Sequence, residues 1–139
     1  MKTDSQTDSA KKPAVLVSRC LFGLPCRYHG RDTARGKPIG RPGLIRRLAK
    51  RYRLIDVCPE MDAGLPVPRP ATRIVDGRWI CDGEDVTEIF QRGAELTLQA
   101  AEEHGCEKAY LLRDSPACDK CKGAAGKLLC EHGITVIRV

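Results

Sequence analysis

One short apolar run that ends on a cysteine decides the fold: PAVLVSRCLFGLPC, residues 13–26. Its first half is apolar and β-branched, which is typical of a buried strand, and its second half carries the Gly and Pro of a loop. The same arrangement recurs at LIDVCPE, residues 54–60, and, slightly displaced, at AYLLRDSPACDKC, residues 109–121. Three predicted strands therefore end close to a cysteine.

Between and after these strands, apolar residues recur at helical spacing. Leu44, Ile45 and Leu48 form one such face, and a longer face runs from Val86 to Ala101 before Gly105 ends it. Strands that alternate with helices imply a mainly parallel sheet with right-handed crossovers. The predicted helices cover residues 39–51, 85–104 and 123–132, and the predicted strands cover residues 14–18, 54–57, 108–112 and 134–139.

This pattern predicts an α/β fold: a compact, Rossmann-like, three-layer α/β/α domain with a mainly parallel sheet of about four strands and a small β-hairpin. Asp76 and Gly77 predict the turn of that hairpin within residues 72–83. Four prolines between residues 59 and 70 argue against a regular element there. Residues 13–139 are expected to form this single domain, and residues 1–12 a disordered N-terminal tail.

Length and composition limit the functional classes. A chain of 139 residues can bury one core without disulfide staples. Its first residues lack the apolar stretch of a signal peptide, and no later run approaches the roughly 18 apolar residues of a membrane span. A cytoplasmic protein with no membrane partner is therefore expected. In a reducing compartment, its eight cysteines are more often metal ligands, catalytic groups or core residues than disulfides.

Positive charge is concentrated between Arg31 and Arg53. Nine Lys or Arg and the single Asp32 give this stretch a charge of +8, within a chain whose net charge is +6. Two interpretations remain open at this stage: the solvated surface of an amphipathic helix, or a surface that binds an anion such as a phosphate-bearing ligand.

The cysteines fall into groups by their place in the predicted fold. Cys20, Cys58 and Cys118 each lie just beyond the carboxyl end of a strand, so a parallel sheet brings them to the edge where such folds bind ligands. Three others are predicted to be core residues, and the remaining two receive no role because each is close in sequence to a candidate ligand. Cys81, Cys106 and Cys130 form the first of these groups, and Cys26 and Cys121 the second.

Three thiols at one edge suit some metal sites better than others. A structural zinc site usually needs four ligands in two close pairs, but the chain has one C-x-x-C, Cys118 to Cys121. A thioredoxin-like redox pair at the same positions would leave Cys20 and Cys58 unexplained. An iron–sulfur cluster prefers thiolates, and with three of them one iron keeps an open position.

Four motifs in order carry a resemblance: VSRCLFGLPCRYHG, DVCPEMDAGLPVPRP, GEDVTEIFQRGA and YLLRDSPACD. Over about residues 15–119 the chain resembles the TudS-type thiouracil desulfidases, the family catalogued as domain of unknown function 523. The resemblance implies a [4Fe-4S] cluster held by Cys20, Cys58 and Cys118, with the fourth iron free to bind the substrate sulfur. It also implies an enzyme that removes sulfur from thiolated uracil without net redox change and releases sulfide.

The same resemblance suggests functional side chains. Glu60 of the C-P-E motif and Ser115 of the S-P-x-C motif are the candidate catalytic residues, and Arg27 and Tyr28 of RYHG are the candidate substrate-binding residues. Glu60 would act as a general base on water if burial raises its pKa, and Ser115 would orient that water or relay a proton.

Structural alternatives stand beside these roles. Glu60 could cap a turn or pair with Arg69, and Ser115 could form a local turn before Pro116. The chain also departs from the family pattern at His29, which replaces an acid, and after Cys118, where a usually Gly-rich segment is short. A more open pocket, or one completed by another subunit, is expected.

The sequence thus predicts a cytoplasmic hydrolase, a monomer or homodimer, that acts on a thiolated pyrimidine base or nucleotide. The candidate substrates are 2-thiouracil, 4-thiouracil, 4-thiouridine and thiouridine monophosphate, with thiolated RNA as a further candidate. The alternative from another class is a noncatalytic, metal-stabilised module that binds RNA through the basic stretch Arg31 to Arg53.

Overall fold

The computed structural model describes residues 12–24, 33–34, 37–66, 70–120 and 123–139. Residues 1–11 of the predicted tail lie outside these ranges, as do the unassigned Cys26 and Cys121. The elements follow in chain order as β1 Ala14–Ser18, a 3₁₀ helix Arg19–Phe22, β2 Thr33–Ala34, β3 Lys37–Pro38, α1 Pro42–Arg51, β4 Arg53–Val57, α2 Pro59–Asp62, β5 Thr72–Val75, β6 Arg78–Cys81, β7 Glu84–Asp85, α3 Thr87–His104, β8 Lys108–Leu111, α4 Ala124–Glu131 and β9 Thr135–Arg138.

The central sheet has four strands in the order β4-β1-β8-β9, and each neighbouring pair is parallel. Strand β1 lies inside it, where Leu16 is opposite both Ile55 and Ala109. Every residue of β1 is buried, because the strand has a neighbour on each side and helices on each face. This explains why its residues 14–17 are an unbroken apolar run rather than an alternation.

Helices cover both faces of this sheet. On one face, Val15 and Val17 pack with Leu48 of α1. On the other, Leu16 belongs to the same buried cluster as Phe90 of α3 and Leu129 of α4, among others. Successive side chains of β1 therefore point to opposite layers, as the pleat of a strand requires. The predicted three-layer α/β/α fold is confirmed.

The predicted hairpin is the first part of a three-stranded antiparallel sheet. Strands β5 and β6 pair across a turn at Asp76 and Gly77, whose φ angles are 50° and 76°, as expected for the turn type that joins tight hairpins. Strand β7 adds to β6 and brings the chain into α3. Trp79 anchors this small sheet, because its ring stacks on Phe90 with centroids 6.1 Å apart.

Two expectations for the helices are wrong. The first helix begins at Pro42 rather than at residue 39, because Pro is favoured at the first helical position, where no N–H donor is needed. Ile39 instead packs with Cys20 and Cys58. The second error concerns residues 59–70, where Pro59 begins the one-turn helix α2 although no regular element was expected. The same proline rule explains both.

The cysteines predicted to lie in the core have different outcomes. Cys106 is buried, as predicted, whereas Cys81 is partly buried and Cys130 is exposed. In α4 the buried stripe runs through Ala125, Gly126 and Leu129, and Cys130 lies about 100° further round the helix than Leu129. The prediction for Cys130 is therefore wrong by one helical position.

Candidate metal centre

Three buried cysteines line one small cavity at the carboxyl edge of the central sheet. Cys20, Cys58 and Cys118 are 5%, 7% and 6% exposed. The lining comprises Ser18, Arg19, Cys20, Val57, Cys58, Glu60, Leu112, Ser115 and Cys118. The structure thus brings together the three cysteines that the sequence singled out.

The sheet order explains why they meet. From β1 the chain crosses to β4 on one side and then returns past β1 to β8 on the other. The carboxyl ends of β1 and β8 therefore flank a crevice at which the strand order reverses, the usual ligand site of open α/β sheets. Cys20 follows β1, Cys58 follows β4, and Cys118 lies in the loop after β8.

A larger groove lies between α3 and α4. It measures about 300 Å³ and is lined by Trp79, Gln91, Ala94, Glu95, Ala124, Lys127, Leu128 and Glu131. None of these residues carries a thiol. The chemistry of the donors, rather than the size of the cavity, identifies the candidate site.

Arg19 joins the segment of Cys20 to the segment of Cys58. Its Nε donates to Asp56 Oδ2 at 2.7 Å, and its Nη2 donates to Asp62 Oδ1 at 3.0 Å. The other oxygen of Asp62 accepts the backbone N–H of Cys58 at 3.2 Å. Burial alone would lower the pKa of Arg19, but the hydrogen bonds and charges of the two carboxylates raise it above its usual value. The Arg19 side chain, which holds the two carboxylates, is therefore permanently charged.

Two serine hydroxyls surround Cys118. Burial raises the pKa of the Cys118 thiol to about 12, against the opposing effect of side-chain hydrogen bonds from Ser18 and Ser115. The Ser115 oxygen also accepts the N–H groups of Ala117 and Cys118, at 3.2 and 3.1 Å. The local turn that was the alternative for Ser115 is therefore present, and its hydroxyl remains next to the ligand candidate.

A buried carboxylate holds the loop of Cys118 against the last strand. Asp119 is fully buried and pairs with Arg138 of β9, with a distance of 3.0 Å between Arg138 Nε and Asp119 Oδ1. Its other oxygen accepts the backbone N–H of Asp114 at 2.5 Å. Both ends of the short loop that carries Ser115 and Cys118 are thus fixed by one side chain.

Glycines allow neighbouring backbone to press against all three cysteine segments. A Cβ at Gly40 would lie 3.0 Å from the Cα of Gly23, in the turn after Cys20. A Cβ at Gly93 of α3 would overlap the carbonyl of Pro59, and one at Gly126 of α4 would overlap the carbonyl of Asp119. Each contact is with backbone next to a candidate ligand. A Cβ would clash at Gly93 and Gly126 and would make a tight contact at Gly40, and glycine avoids both.

We expect Gly126→Ala to disturb the Cys118 loop, because the Asp119 backbone has to move to make room. Such overpacking costs about 1–3 kcal/mol, and thermal unfolding should show it, together with a loss of bound iron. Gly43→Ala in α1 is the matched control, since the nearest heavy atom to its Cβ would be 4.0 Å away, at the end of the Arg47 side chain. Gly43→Ala should leave stability unchanged or raise it by up to about 1 kcal/mol. Equal effects of the two substitutions would contradict this account.

The donors fit an iron–sulfur cluster better than a single metal ion. Within the part of the chain that the structure describes, no group of three or more His, Cys, Asp or Glu side chains is arranged to hold one ion. A cluster binds each thiolate to a different iron, so its ligands can lie further apart than those of one zinc ion. A buried thiol such as Cys118 becomes a stable thiolate only beside a strong cation, which a cluster provides.

The other candidate residues have separate outcomes. Glu60 is half-buried and Ser115 buried, and both line the cavity. Arg27, Tyr28 and His29 lie outside the described residues. Ser18, Arg19 and Asp119 were not predicted from the sequence. Arg19 and Asp119 directly adjoin a candidate ligand, but this adjacency alone does not reveal the distant partners that give these residues their roles.

The basic helix α1 runs away from the site. At its start, the N–H of Arg41 donates to Leu21 O, beside Cys20, at 2.8 Å. At its end, Arg51 lies over the ring of Tyr52, which contacts Lys108 at the opposite edge of the sheet. A helix of this length extends about 14 Å. In the basic stretch, Arg41 therefore has a backbone contact with the Cys20 segment, whereas Arg51 lies at the far end of the helix.

Comparison with known proteins agrees with this site. Residues 15–138 match the model of a family described as 2-thiouracil desulfurase. The chain belongs to this family. The uncharacterised protein YbbK of Bacillus subtilis (strain 168) is 34% identical to it over 115 residues, which cover 75% of this chain and 72% of YbbK. The structure of the [4Fe-4S]-dependent thiouracil desulfidase TudS matches with a TM-score of 0.79 and 32% identity, over 91% of each chain.

Membership of the 2-thiouracil desulfurase family confirms the resemblance found in the sequence, and the TudS structure confirms the fold class. Membership of this family also supports an enzyme over the noncatalytic RNA-binding alternative. The predicted [4Fe-4S] cofactor is the cluster on which TudS is described as dependent. In the described ranges, no helix has the length and apolar character needed to cross a membrane.

Proposed function

We propose that this protein is a [4Fe-4S]-dependent, non-redox desulfidase that removes sulfur from thiolated uracil and releases sulfide. The observation that carries the proposal is the meeting of Cys20, Cys58 and Cys118, all buried, around one cavity in a chain of the 2-thiouracil desulfurase family. These three residues would hold the cluster. Bound through these three thiolates, a cluster would supply a Lewis acid suited to a soft thiocarbonyl sulfur.

The proposed reaction replaces the thiocarbonyl sulfur with the oxygen of water. Water adds to the ring carbon, the carbon–sulfur bond breaks, and the products are uracil and hydrogen sulfide, so no electrons are gained or lost. Glu60, at the cavity wall, takes the proton from the attacking water. Ser115 is less suited to that task because its oxygen already accepts two backbone N–H groups. Ser115 would instead position the loop that carries Cys118, and its hydroxyl would act as a hydrogen-bond donor.

The substrate is proposed to be a thiolated pyrimidine base or its nucleotide: 2-thiouracil, 4-thiouracil, 4-thiouridine or thiouridine monophosphate. Arg27 and Tyr28 remain the proposed contacts to the ring, by the family resemblance. We also propose that the enzyme acts in the cytoplasm as a monomer or homodimer, and thiolated RNA remains a further candidate substrate.

If the enzyme takes a nucleotide, its phosphate should meet the start of α1. We expect Arg41→Glu to raise the KM for thiouridine monophosphate by about tenfold and to leave the KM for free thiouracil nearly unchanged, because the exposed Arg41 adjoins the Cys20 segment. Arg51→Glu makes the same charge change at the far end of the helix and serves as the control. A similar rise for both substrates, or for both variants, would contradict a phosphate site at Arg41.

The experiment that tests the function is anaerobic purification followed by iron and sulfide analysis and a turnover assay. We expect about four irons and four sulfides per chain, with broad thiolate-to-iron absorption. Incubation with 2-thiouracil should yield equal amounts of uracil and sulfide without added reductant. Stoichiometric zinc with no acid-labile sulfide would refute the proposal, and so would a loaded protein that releases no sulfide from any of the four small substrates or from thiolated RNA.

A further inference from the structure

Ser18 is a buried hydroxyl between two strands that lead into the site. It is the last residue of the central strand β1 and is 1% exposed. Its oxygen accepts the backbone N–H of Leu112, just after β8, at 2.9 Å. Buried polar groups in native proteins are almost always hydrogen-bonded, because an unpaired one loses its water without compensation. This bond accounts for only part of what a hydroxyl can do.

The hydroxyl hydrogen of Ser18 is available to the sulfur of Cys118. A serine hydroxyl has one hydrogen to donate and two lone pairs that accept. One lone pair is used by the Leu112 N–H, so the hydrogen is left to donate. A side-chain hydrogen bond with Ser18 lowers the pKa of Cys118, against the larger effect of burial. Both side chains line the cavity of the three cysteines. The amide of Leu112 fixes the oxygen, and with it the place from which the hydrogen is donated.

We propose that Ser18 is a positioning residue, which donates a hydrogen bond to the Cys118 sulfur and so weakens the electron donation of that thiolate to its iron. The inference rests on the proposed function, since it needs Cys118 to be a cluster ligand. Hydrogen bonds to the sulfurs are among the factors that set the potential of an iron–sulfur cluster. A weaker thiolate donor leaves the cluster more electron-poor, which favours binding of a soft sulfur at the open iron.

Ser18→Ala and Ser18→Thr test this on the anaerobic holoprotein. The Ala variant lacks the donated hydrogen bond, so its reduction potential should shift to a more negative value and its iron–thiolate stretching band in the resonance Raman spectrum should move to higher frequency. The Thr variant keeps the hydroxyl and should restore both readouts. Turnover of Ser18→Ala should fall roughly 10- to 100-fold, as is usual when a partner of a metal ligand is removed.

A measurement on the wild-type protein is independent of how well the variants fold. Transfer to D₂O replaces the donated proton with deuterium and should shift the iron–thiolate stretching band. An unshifted band in D₂O, or equal potentials in the wild type and a loaded Ser18→Ala, would overturn the inference while leaving the proposed function intact. Absence of iron and sulfide in the wild type would instead refute the proposed function itself.

Discussion

Replacement of Cys20, Cys58 or Cys118 by Ser is expected to give a folded protein that holds no cluster and releases no sulfide. A serine hydroxyl is not deprotonated near neutral pH and offers iron a hard oxygen in place of a soft thiolate. With three protein ligands, the loss of any one leaves a second iron without a protein ligand. Iron content and visible absorption should therefore fall to near zero, while far-ultraviolet circular dichroism should remain that of the wild type.

Two other cysteines provide the controls for this experiment. Cys130 is exposed on α4, so Cys130→Ser should keep both the cluster and the stability of the wild type. Cys106 is buried and precedes β8, at the edge of the sheet opposite the site. Cys106→Ser should keep the cluster but unfold at a lower temperature, because it buries a hydroxyl in an apolar position. If Cys121→Ser also abolished the cluster, the three-thiolate arrangement would be excluded.

The sheet could be predicted from the sequence because each of its central strands is a continuous apolar run. Residues 14–18, predicted from that pattern alone, are the strand β1 with the same bounds. Placing three cysteines at one edge required only the rule that parallel strands share their carboxyl ends. This step needed no knowledge of distances.

Helix boundaries and faces were harder, since they depend on contacts distant in sequence. The start of α1 at Pro42 follows two residues after Gly40, which closely approaches Gly23. Cys130 is exposed because the helix is turned by one residue from the predicted orientation. In a short helix, two successive leucines, Leu128 and Leu129, do not reveal which of them faces the core. Periodicity alone gives the existence of such a helix more reliably than its orientation.

The residues that support the ligands could not be found from local pattern either. Arg19 contacts Asp56 and Asp62 across 37 and 43 residues, and Ser18 contacts Leu112 across 94. Each pair forms only because neighbouring strands end at the same edge. Each ligand could be predicted from the sequence of a single strand, whereas its partners could be predicted only by knowing which two strands are neighbours.

Glu60→Gln is expected to bind the thiolated base and hold a full cluster but to lose most of its turnover. The substitution keeps the shape of the side chain and one acceptor oxygen, and it removes only the basic carboxylate. Because Glu60 follows Cys58 by two residues and lines the same cavity, its effect must be separated from cluster loss. Iron content and visible absorption, measured on the same sample as turnover, make that separation.

General-base assistance is typically worth about 10²–10⁴-fold, so the turnover number should fall by about a hundredfold or more while KM changes little. Glu95→Gln is the matched control, since it makes the same chemical change in the groove between α3 and α4. If a fully loaded Glu60→Gln turned over at a near-normal rate, Glu60 could not be the base. The proton of the attacking water would then have to pass to another acceptor. Ser115 is a poor candidate because its oxygen already accepts two backbone N–H groups, so bulk water that reaches the cavity would be the expected acceptor.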